Sequence, residues 1–480
     1  MEKDAQPVGE SEQAATSPPA RGDKVPWTQK AGWALGSVGD QVMMNGFGTL
    51  ALPIYNIGLG VSPVLLGYAM ALPRILDAIT DPIMGNLSDN TRTRWGRRRP
   101  YIFLGAILCA LLFALLWFPP VSMAKPVIFG YFLLVSILFY LAYTIFAVPR
   151  GALGFEICTD YNDRTTLFAI NAVFASLAGF GIPWLYKLSF HPLFAGPEKN
   201  EVIGVRWVAV IAGIVILLTC LPGAFFTRER ESVQSQPQVN LFRAAGMTLK
   251  NRSFLIITGV VVLILLAIMV VSPMSMYINI FYVCGGDKEL GAFWGGWAGV
   301  AQAVLGLAST PFIALLSRKT GKKATILAGL ALAMAAYGAS WWLFTPALPW
   351  LQVFFMFMVQ PGLMTVWVLT GSIIADICDE DELINGLRRE GMFGAANTFI
   401  TKTAAACVTI LAGYILVWAG YVDGASVTQQ TLTNLRVLFI AVPLVLLTAA
   451  FSLILWFPIT EKIARETRAA LDERHRLAGE

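Results

Sequence analysis

The chain has 480 residues, of which 56% are hydrophobic and only 14% are charged. Soluble domains carry about 25% charged residues, so this composition excludes a soluble protein and favours one that lies mostly within a bilayer. The net charge of +5 is too small to indicate a nucleic-acid-binding protein. The six scattered cysteines and two histidines have no spacing typical of a disulfide framework or a metal site.

The first segment, residues 1–26, is polar and rich in Pro, Ala, Ser and Glu. It lacks the apolar core of a signal peptide, so a disordered cytoplasmic tail is predicted over 1–28. Apolar runs long enough to cross a bilayer follow at twelve places, near 31–57, 62–87, 100–119, 126–149, 165–187, 204–226, 254–283, 291–316, 324–345, 349–376, 392–419 and 434–458.

A polar break after the sixth run divides the chain into two halves. The pattern predicts an all-α polytopic membrane protein with twelve transmembrane helices. Its predicted regions are an N-terminal six-helix bundle (29–226), a cytoplasmic middle loop (227–252), a C-terminal six-helix bundle (253–460) and a cytoplasmic tail (461–480).

The lysines and arginines lie mostly on one side of the predicted membrane. The two tails and the even-numbered loops hold 27 of them, and the odd-numbered loops hold 6. Because cytoplasmic loops carry the excess of cations, both termini are predicted to be cytoplasmic. We therefore expect an integral protein of the cytoplasmic (inner) membrane.

A short repeat supports two equivalent halves. The sequence PIMGNLS begins at Pro82 and is followed by a basic loop, and PFIALLS begins at Pro311 and is followed by another. The proline and the serine have the same separation in both. A basic loop after the second helix of each half resembles the major facilitator superfamily, in which two six-helix bundles rock about a central site.

Five charged residues fall inside predicted spans, where a charge costs about 2.5–3.5 kcal/mol on insertion scales: Asp40, Arg74, Asp77, Asp81 and Lys402. Asp77 and Asp81 are four residues apart and share one helix face. Two carboxylates so close stay ionised only with a cation between them, or else one of them holds a proton, so they predict a monovalent cation site. Arg74 would hold the pair when the ion is absent, and Lys402 would approach from the other half. The alternative is structural salt bridges between helices.

The sequence RILDAITDPIMG from Arg74, followed by TRTRWGR from Thr91, resembles the glycoside–pentoside–hexuronide:cation symporters. The likeness covers residues 30–460. It implies that Asp77 and Asp81 hold the cation with Thr144, and that Lys402 links the cation and substrate sites. It also implies that three residues face the sugar, namely Asp40, Trp367 and Thr398.

The sequence departs from the melibiose permease branch of that family at its sugar contacts. Ala147 and Ala172 stand where that branch has a sugar-binding aspartate and arginine, and Gly151 replaces a tryptophan. An α-galactoside is therefore not the expected substrate. Candidate replacements for the lost contacts are Gln41, Asn45 and Asn171, although these side chains could equally form hydrogen bonds between helices.

Charged residues on the fourth and tenth loops are interpreted as cytoplasmic salt-bridge gates. The fourth loop contributes Arg150, Glu156 and Arg164. The tenth contributes Asp376, Asp379, Arg388 and Arg389. The alternative interpretation is an ordinary solvated loop.

The pattern as a whole predicts a secondary active transporter that carries a sugar or glycoside with Na⁺ or H⁺ by alternating access. Its partners would be a small substrate such as a glycoside or sugar acid, a monovalent cation and the lipid bilayer, with no nucleic acid and no cofactor or metal beyond the transported cation. An enzyme is not expected, because the chain has no Ser/His pair, paired histidines or phosphate-binding motif. The alternatives are a cation-coupled carrier of a lysolipid or other amphiphile, and a non-transporting membrane sensor.

Overall fold

The computed structural model describes residues 25–158, 161–229, 251–385, 390–421, 427–458 and 461–479. Its α-helices, in chain order, are α1 (Trp27–Gln41), α2 (Phe47–Ala51), α3 (Pro63–Asn90), α4 (Arg99–Leu116), α5 (Lys125–Ile157), α6 (Tyr161–Gly181), α7 (Leu185–Leu188), α8 (Pro192–Ala195), α9 (Glu201–Phe226), α10 (Arg252–Tyr277), α11 (Lys288–Thr320), α12 (Lys322–Leu343), α13 (Leu351–Asn385), α14 (Glu390–Trp418), α15 (Gln429–Leu455) and α16 (Glu461–Gly479).

Long apolar helices form because a bilayer offers no partners to the backbone, so every N–H and C=O must be satisfied within the segment. At the N-termini of α10 and α11, side chains cap backbone N–H groups that have no partner within the helix. Asn251 accepts from the Phe254 N–H, and Asp287 accepts from the Leu290 N–H. Gly321, with φ +83°, ends α11 just before α12 begins, in a backbone conformation that only glycine adopts easily.

Eleven helical segments of the described chain are long and apolar enough to cross a membrane. The segment before them runs from Trp27 to Gly58 but is divided by two π-helical stretches, Val42–Gly46 and Leu52–Gly58. None of its α-helical pieces is long enough to cross alone, since α1 has 15 residues and α2 has 5. The predicted all-α polytopic fold is confirmed. The predicted count of twelve spans is not, because the first predicted span, 31–57, corresponds to this divided segment, which is not among the eleven.

The buried apolar side chains form two clusters. The first is made almost entirely of residues between Val25 and Ala224, and the second of residues between Phe254 and Phe457. We call these parts the N half and the C half. Of the predicted connecting regions, residues 1–24 and 230–250 lie outside the described residues, and the predicted tail 461–480 contains the helix α16.

The two halves meet at one end of the molecule. We name the side that holds Trp27 and Glu461 the termini side, and the opposite side the far side. On the far side, Glu289 of the C half pairs with Lys187 and Lys199 of the N half, each at 2.6 Å. Lys288 pairs with Glu201 at 2.5 Å. These ion pairs hold the far side together in this conformation.

Close helix packing adds to these far-side ion pairs. A Cβ at Gly413 of α14 would lie 2.7 Å from the Pro63 carbonyl oxygen of α3, and one at Gly67 would lie 3.0 Å from the Thr409 carbonyl oxygen. Two glycines therefore let α3 and α14 approach backbone to backbone. The Tyr277 hydroxyl also donates to the Asn56 side chain, and both residues are fully buried.

Candidate functional site

Two carboxylates of α3 and one hydroxyl of α5 come together in the N half. The Thr144 hydroxyl lies 3.3 Å from Asp77 Oδ1 and 3.2 Å from Asp81 Oδ1. Asp77 and Asp81 lie one helical turn apart, so both face α5. Thr144 is buried, which fixes its position between them. Three oxygen atoms thus converge where a small hard cation would find the ligands it prefers.

Lys402 connects this carboxylate pair to the other half of the molecule. Its Nζ lies 2.8 Å from Asp81 Oδ2. The side chains are 55% and 28% exposed, so the surrounding protein leaves the ion pair partly uncovered. An exposed pair contributes little net stability and exchanges partners readily. The structure thus places an easily broken contact between α14 and α3 beside the carboxylates.

Arg74 lies one turn before Asp77 on α3 but holds neither carboxylate in this conformation. Within the described residues, its hydrogen bond to protein goes from Nε to the Tyr140 hydroxyl at 3.3 Å. No ion pair joins its terminal nitrogens to a described carboxylate. The terminal N–H groups of the guanidinium are therefore available to another partner.

One turn of α5 joins these groups to α1. Tyr140 contacts Arg74, and Thr144 contacts Asp77 and Asp81. Between them in sequence, the Tyr143 hydroxyl donates to Asp40 Oδ1 at 2.8 Å. Because residues three and four apart lie on the same side of a helix, this turn contacts α1 and α3 together.

Asp40 faces a second cation, Arg150. Arg150 Nη1 lies 4.0 Å from Asp40 Oδ2, and its Nη2 donates to Asn171 Oδ1 at 2.8 Å. Its guanidinium also lies over the Trp33 ring, 5.0 Å from the centroid. Two predicted substrate residues, Asp40 and Asn171, thus contact Arg150 in this conformation.

The predicted position of Arg150 on the fourth loop was wrong. Arg150 lies inside α5, seven residues before its end at Ile157, and is only 9% exposed. The apolar run stops at Pro149, but the helix continues because Trp33, Asp40 and Asn171 surround the guanidinium. A buried cation with these partners needs no solvent.

The other predicted gate residues that the structure describes also lie in helices rather than loops, which corrects their placement. Glu156, in α5, pairs with Arg97 and Arg98 at 3.2 and 2.8 Å. Arg164, in α6, donates to the carbonyl oxygens of Phe155 and Cys158.

In the C half, Asp376 and Asp379 both lie in α13. Asp376 pairs with Lys322 at 2.6 Å, and Asp379 pairs with Arg468 of α16 at 3.3 Å. The other two predicted gates, Arg388 and Arg389, lie outside the described residues. These ion pairs, like those of Glu156, stay within one half or its tail, so a gate between halves stays a prediction.

The Asp40–Arg150 pair supports a direct prediction. Arg150→Leu leaves Asp40 without its cation, and removing one partner of a buried pair costs about 3–5 kcal/mol. We expect the thermal midpoint of the purified protein to fall by several degrees. Asp40→Asn combined with Arg150→Leu removes both charges, and we expect it to recover at least half of that loss. A double variant no more stable than Arg150→Leu alone would contradict the pairing.

A cavity of about 870 Å³ lies between the two halves and reaches from the far side to Arg74. Its walls are mostly apolar, with methionines from both halves. Polar side chains interrupt these walls, among them Asn45, Thr49, Gln302, Gln360 and Thr409. Arg74 is the one charged side chain among the described residues that line it. An apolar wall with a few polar groups is typical of a small-molecule site.

The sequence-predicted residues continue the cavity-lining faces of three helices towards the termini side. On α3, Asp77 and Asp81 follow Arg74 at helical spacing. On α13, Trp367 follows the lining residues Gln360 and Met364. On α14, Thr398 and Lys402 precede Thr409 at the same spacing.

In the π-helical stretch Val42–Gly46, Asn45 lines the cavity and donates to Gln41 at the end of α1. Sequence reasoning missed Gln302 and Gln360. The signal was available, because an amide within an apolar span is costly unless it finds a partner.

Comparison with known proteins finds relatives along the whole membrane-spanning region. The family profile described as MFS/sugar transport protein matches residues 32–461. A glucuronide carrier protein homolog of Escherichia coli is 26% identical over 464 residues, covering 94% of this chain and 96% of that protein. A putative glycoside/cation symporter of the same organism is 26% identical over 438 residues, covering 90% and 92%.

One solved structure illustrates the shared fold. A bacterial homolog of the lysosomal transporter Spinster, in an inward-facing and occupied conformation, superposes with a TM-score of 0.63 at 14% identity. The match covers 90% of this chain and 95% of that one. At this identity the likeness concerns the fold alone.

Proposed function

Because the chain belongs to the sugar-transport family of the major facilitator superfamily, in its glycoside–pentoside–hexuronide:cation symporter branch, we propose that Asp77, Asp81 and Thr144 form the site of its coupling cation. The family makes the protein an integral membrane transporter that moves a small molecule with a cation, and not an enzyme. The proposal concerns which residues couple the two.

The observation that carries the proposal is the convergence of three oxygens at the carboxylate pair. Asp77 Oδ1 and Asp81 Oδ1 both lie within 3.3 Å of the Thr144 hydroxyl. Like charges this close repel each other in a low-dielectric site, and a cation between them relieves the repulsion. Either Na⁺ or a proton would satisfy the pair, and no other cofactor is proposed.

Lys402 provides the coupling between cation and conformation. In this conformation its ammonium holds Asp81 from the other half at 2.8 Å. A bound cation competes for that carboxylate and releases Lys402 into the cavity. Cation binding then breaks the Lys402–Asp81 contact between the halves and, at the same time, makes the Lys402 ammonium available to substrate. If the cation tightens substrate binding by some factor, linkage requires that substrate tighten cation binding by that factor too.

We place the transported molecule in the cavity beside Arg74. The glucuronide carrier homolog and the glycoside/cation symporter are named for sugar derivatives, so a sugar, glycoside or sugar acid is proposed here. Gln302, Gln360 and Asn45 supply amide groups for hydroxyls. The methionine-rich walls also suit an apolar chain, which keeps a lysolipid or other amphiphile as the second candidate.

The distribution of lysines and arginines suggests which side of the membrane each end of the protein faces. The excess of cations on the termini side supports an orientation in which that side faces the cytoplasm of an inner membrane. The far side is then external, and the ion pairs of Glu289 and Lys288 close the external entrance in this conformation.

The test is uptake into proteoliposomes that contain the purified protein. The panel comprises glycosides, hexuronides and lysolipids, with an inward Na⁺ gradient at fixed pH or an inward proton gradient without Na⁺. We expect one gradient to drive concentrative uptake of a sugar derivative. Uptake of a lysolipid alone would select the second candidate. Absence of gradient-driven uptake and of counterflow for every compound would overturn the proposed symport and favour a non-transporting sensor.

A further inference from the structure

One turn of α5 brings together charged side chains from several helices, with equal numbers of acidic and basic groups. Tyr140, Tyr143 and Thr144 of that turn contact Arg74, Asp40 and the Asp77–Asp81 pair. Lys402 and Arg150 complete the group through Asp81 and Asp40. We name these six charged residues the central charge cluster, namely Asp40, Asp77, Asp81, Arg74, Arg150 and Lys402. With every member ionised, its net charge is zero.

A bound cation changes this balance. If Asp77 and Asp81 take up one Na⁺ or one proton, the central charge cluster carries a net charge of +1. A net charge in the middle of a membrane protein is strongly disfavoured, so a carrier reorients most readily when its centre is neutral. A neutral sugar would leave the loaded carrier at +1, whereas a substrate with one negative charge returns it to zero.

The cavity contains a group suited to such a substrate. Arg74 is the one charged side chain among its described lining residues. The hydrogen bond that it makes to described protein uses Nε, with the Tyr140 hydroxyl as acceptor. Its terminal nitrogens present the paired N–H groups that bind a carboxylate in a bidentate manner. Arg74 also lies one turn from Asp77, so an anion bound to it would sit beside the cation.

We propose that this transporter takes a sugar bearing one carboxylate, that Arg74 binds this carboxylate, and that one cation and one sugar acid cross together without net charge. The inference rests on the proposed symport and names the substrate class of its site. Arg74 is then a specificity-determining residue, and the amides of Gln302 and Gln360 remain for the hydroxyls of the ring.

The first test uses p-nitrophenyl β-D-glucuronide and p-nitrophenyl β-D-glucoside, which differ only in a carboxylate and a hydroxymethyl group. Uptake of each into proteoliposomes is measured under the cation gradient that drives transport. We expect the glucuronide to enter at least 10-fold faster than the glucoside. Arg74→Gln should reduce this ratio to about 2 or less, and Arg74→Lys should restore part of it. Arg465→Gln, on exposed α16, is the matched control and should keep the ratio of the unaltered protein.

The second test needs no variant. A carrier that moves one net charge gains about 50-fold in accumulation for each 100 mV of membrane potential. We expect a 100 mV interior-negative potential, set with potassium and valinomycin, to change cation-driven glucuronide accumulation less than 2-fold. Accumulation that rises tenfold or more would overturn electroneutral transport even if Arg74→Gln does not fold.

The outcomes separate the two proposals. Gradient-driven, potential-stimulated uptake of the glucoside at the rate of the glucuronide would overturn the anionic substrate and leave the symport intact. Uptake of neither compound, nor of any other member of the wider panel, under any cation gradient would instead overturn the symport itself.

Discussion

Replacing Asp77 with asparagine is expected to remove nearly all cation-driven accumulation of substrate. The change keeps the size of the side chain but removes one of the two carboxylates that face Thr144. It also leaves Arg74 and Lys402 in excess beside the site. An uncompensated charge inside a membrane costs about 2.5–3.5 kcal/mol on insertion scales, and each 1.36 kcal/mol is tenfold in rate. Allowing for partial exposure, we expect the initial rate of concentrative uptake to fall about 100-fold.

The decisive readout is the link between cation and substrate. In the unaltered protein, substrate affinity should rise with cation concentration, and in Asp77→Asn it should not respond. Asp472→Asn makes the same chemical change on exposed α16, where Asp472 pairs with Arg468, and serves as the control. Cation-driven accumulation that persists in Asp77→Asn would refute the assignment of the cation site.

Hydropathy alone predicts the position of most helices well. The predicted run 62–87 corresponds to α3, Pro63–Asn90, and the run 392–419 to α14, Glu390–Trp418. Both predicted runs agree with the helices because a helix needs about 20 apolar residues to cross the lipid, whichever helices it packs against. The spacing of Asp77 and Asp81 also places both on one helix face, since a helix turns once in 3.6 residues.

What hydropathy misses depends on contacts between distant segments. The fourth run ends at 149, whereas α5 continues to Ile157, because Trp33 and Asp40 of another helix make a buried Arg150 tolerable. The contact of Lys402 with Asp81 joins residues 321 positions apart, and no spacing rule specifies it. The π-helical stretches of the first span are likewise invisible to apolar periodicity.

The close approach of α3 and α14 leads to a second strong prediction. Gly413→Val is expected to stop transport by keeping the far side from closing. Its Cβ would lie 2.7 Å from the Pro63 carbonyl oxygen and 3.0 Å from the Val64 Cα, and both neighbours are backbone atoms that cannot turn aside. Overpacking of this kind costs about 1–3 kcal/mol, which shifts an equilibrium between closed and open states by about 5- to 150-fold.

Chemical labelling distinguishes a shifted equilibrium from a damaged protein. A cysteine at the cavity-lining position Thr49 is introduced with Cys407→Ser, since Cys407 is the exposed one of the six native cysteines. We expect Gly413→Val to increase labelling from the far side by a membrane-impermeant maleimide about tenfold, while uptake falls by a similar factor. Gly338→Val adds the same side chain where no atom lies within 4 Å, and should leave both unchanged. A cysteine at position 49 reacts with the maleimide from the far side only when that side is open. Loss of uptake without increased labelling would therefore show that Gly413→Val impairs folding and not closure of the far side.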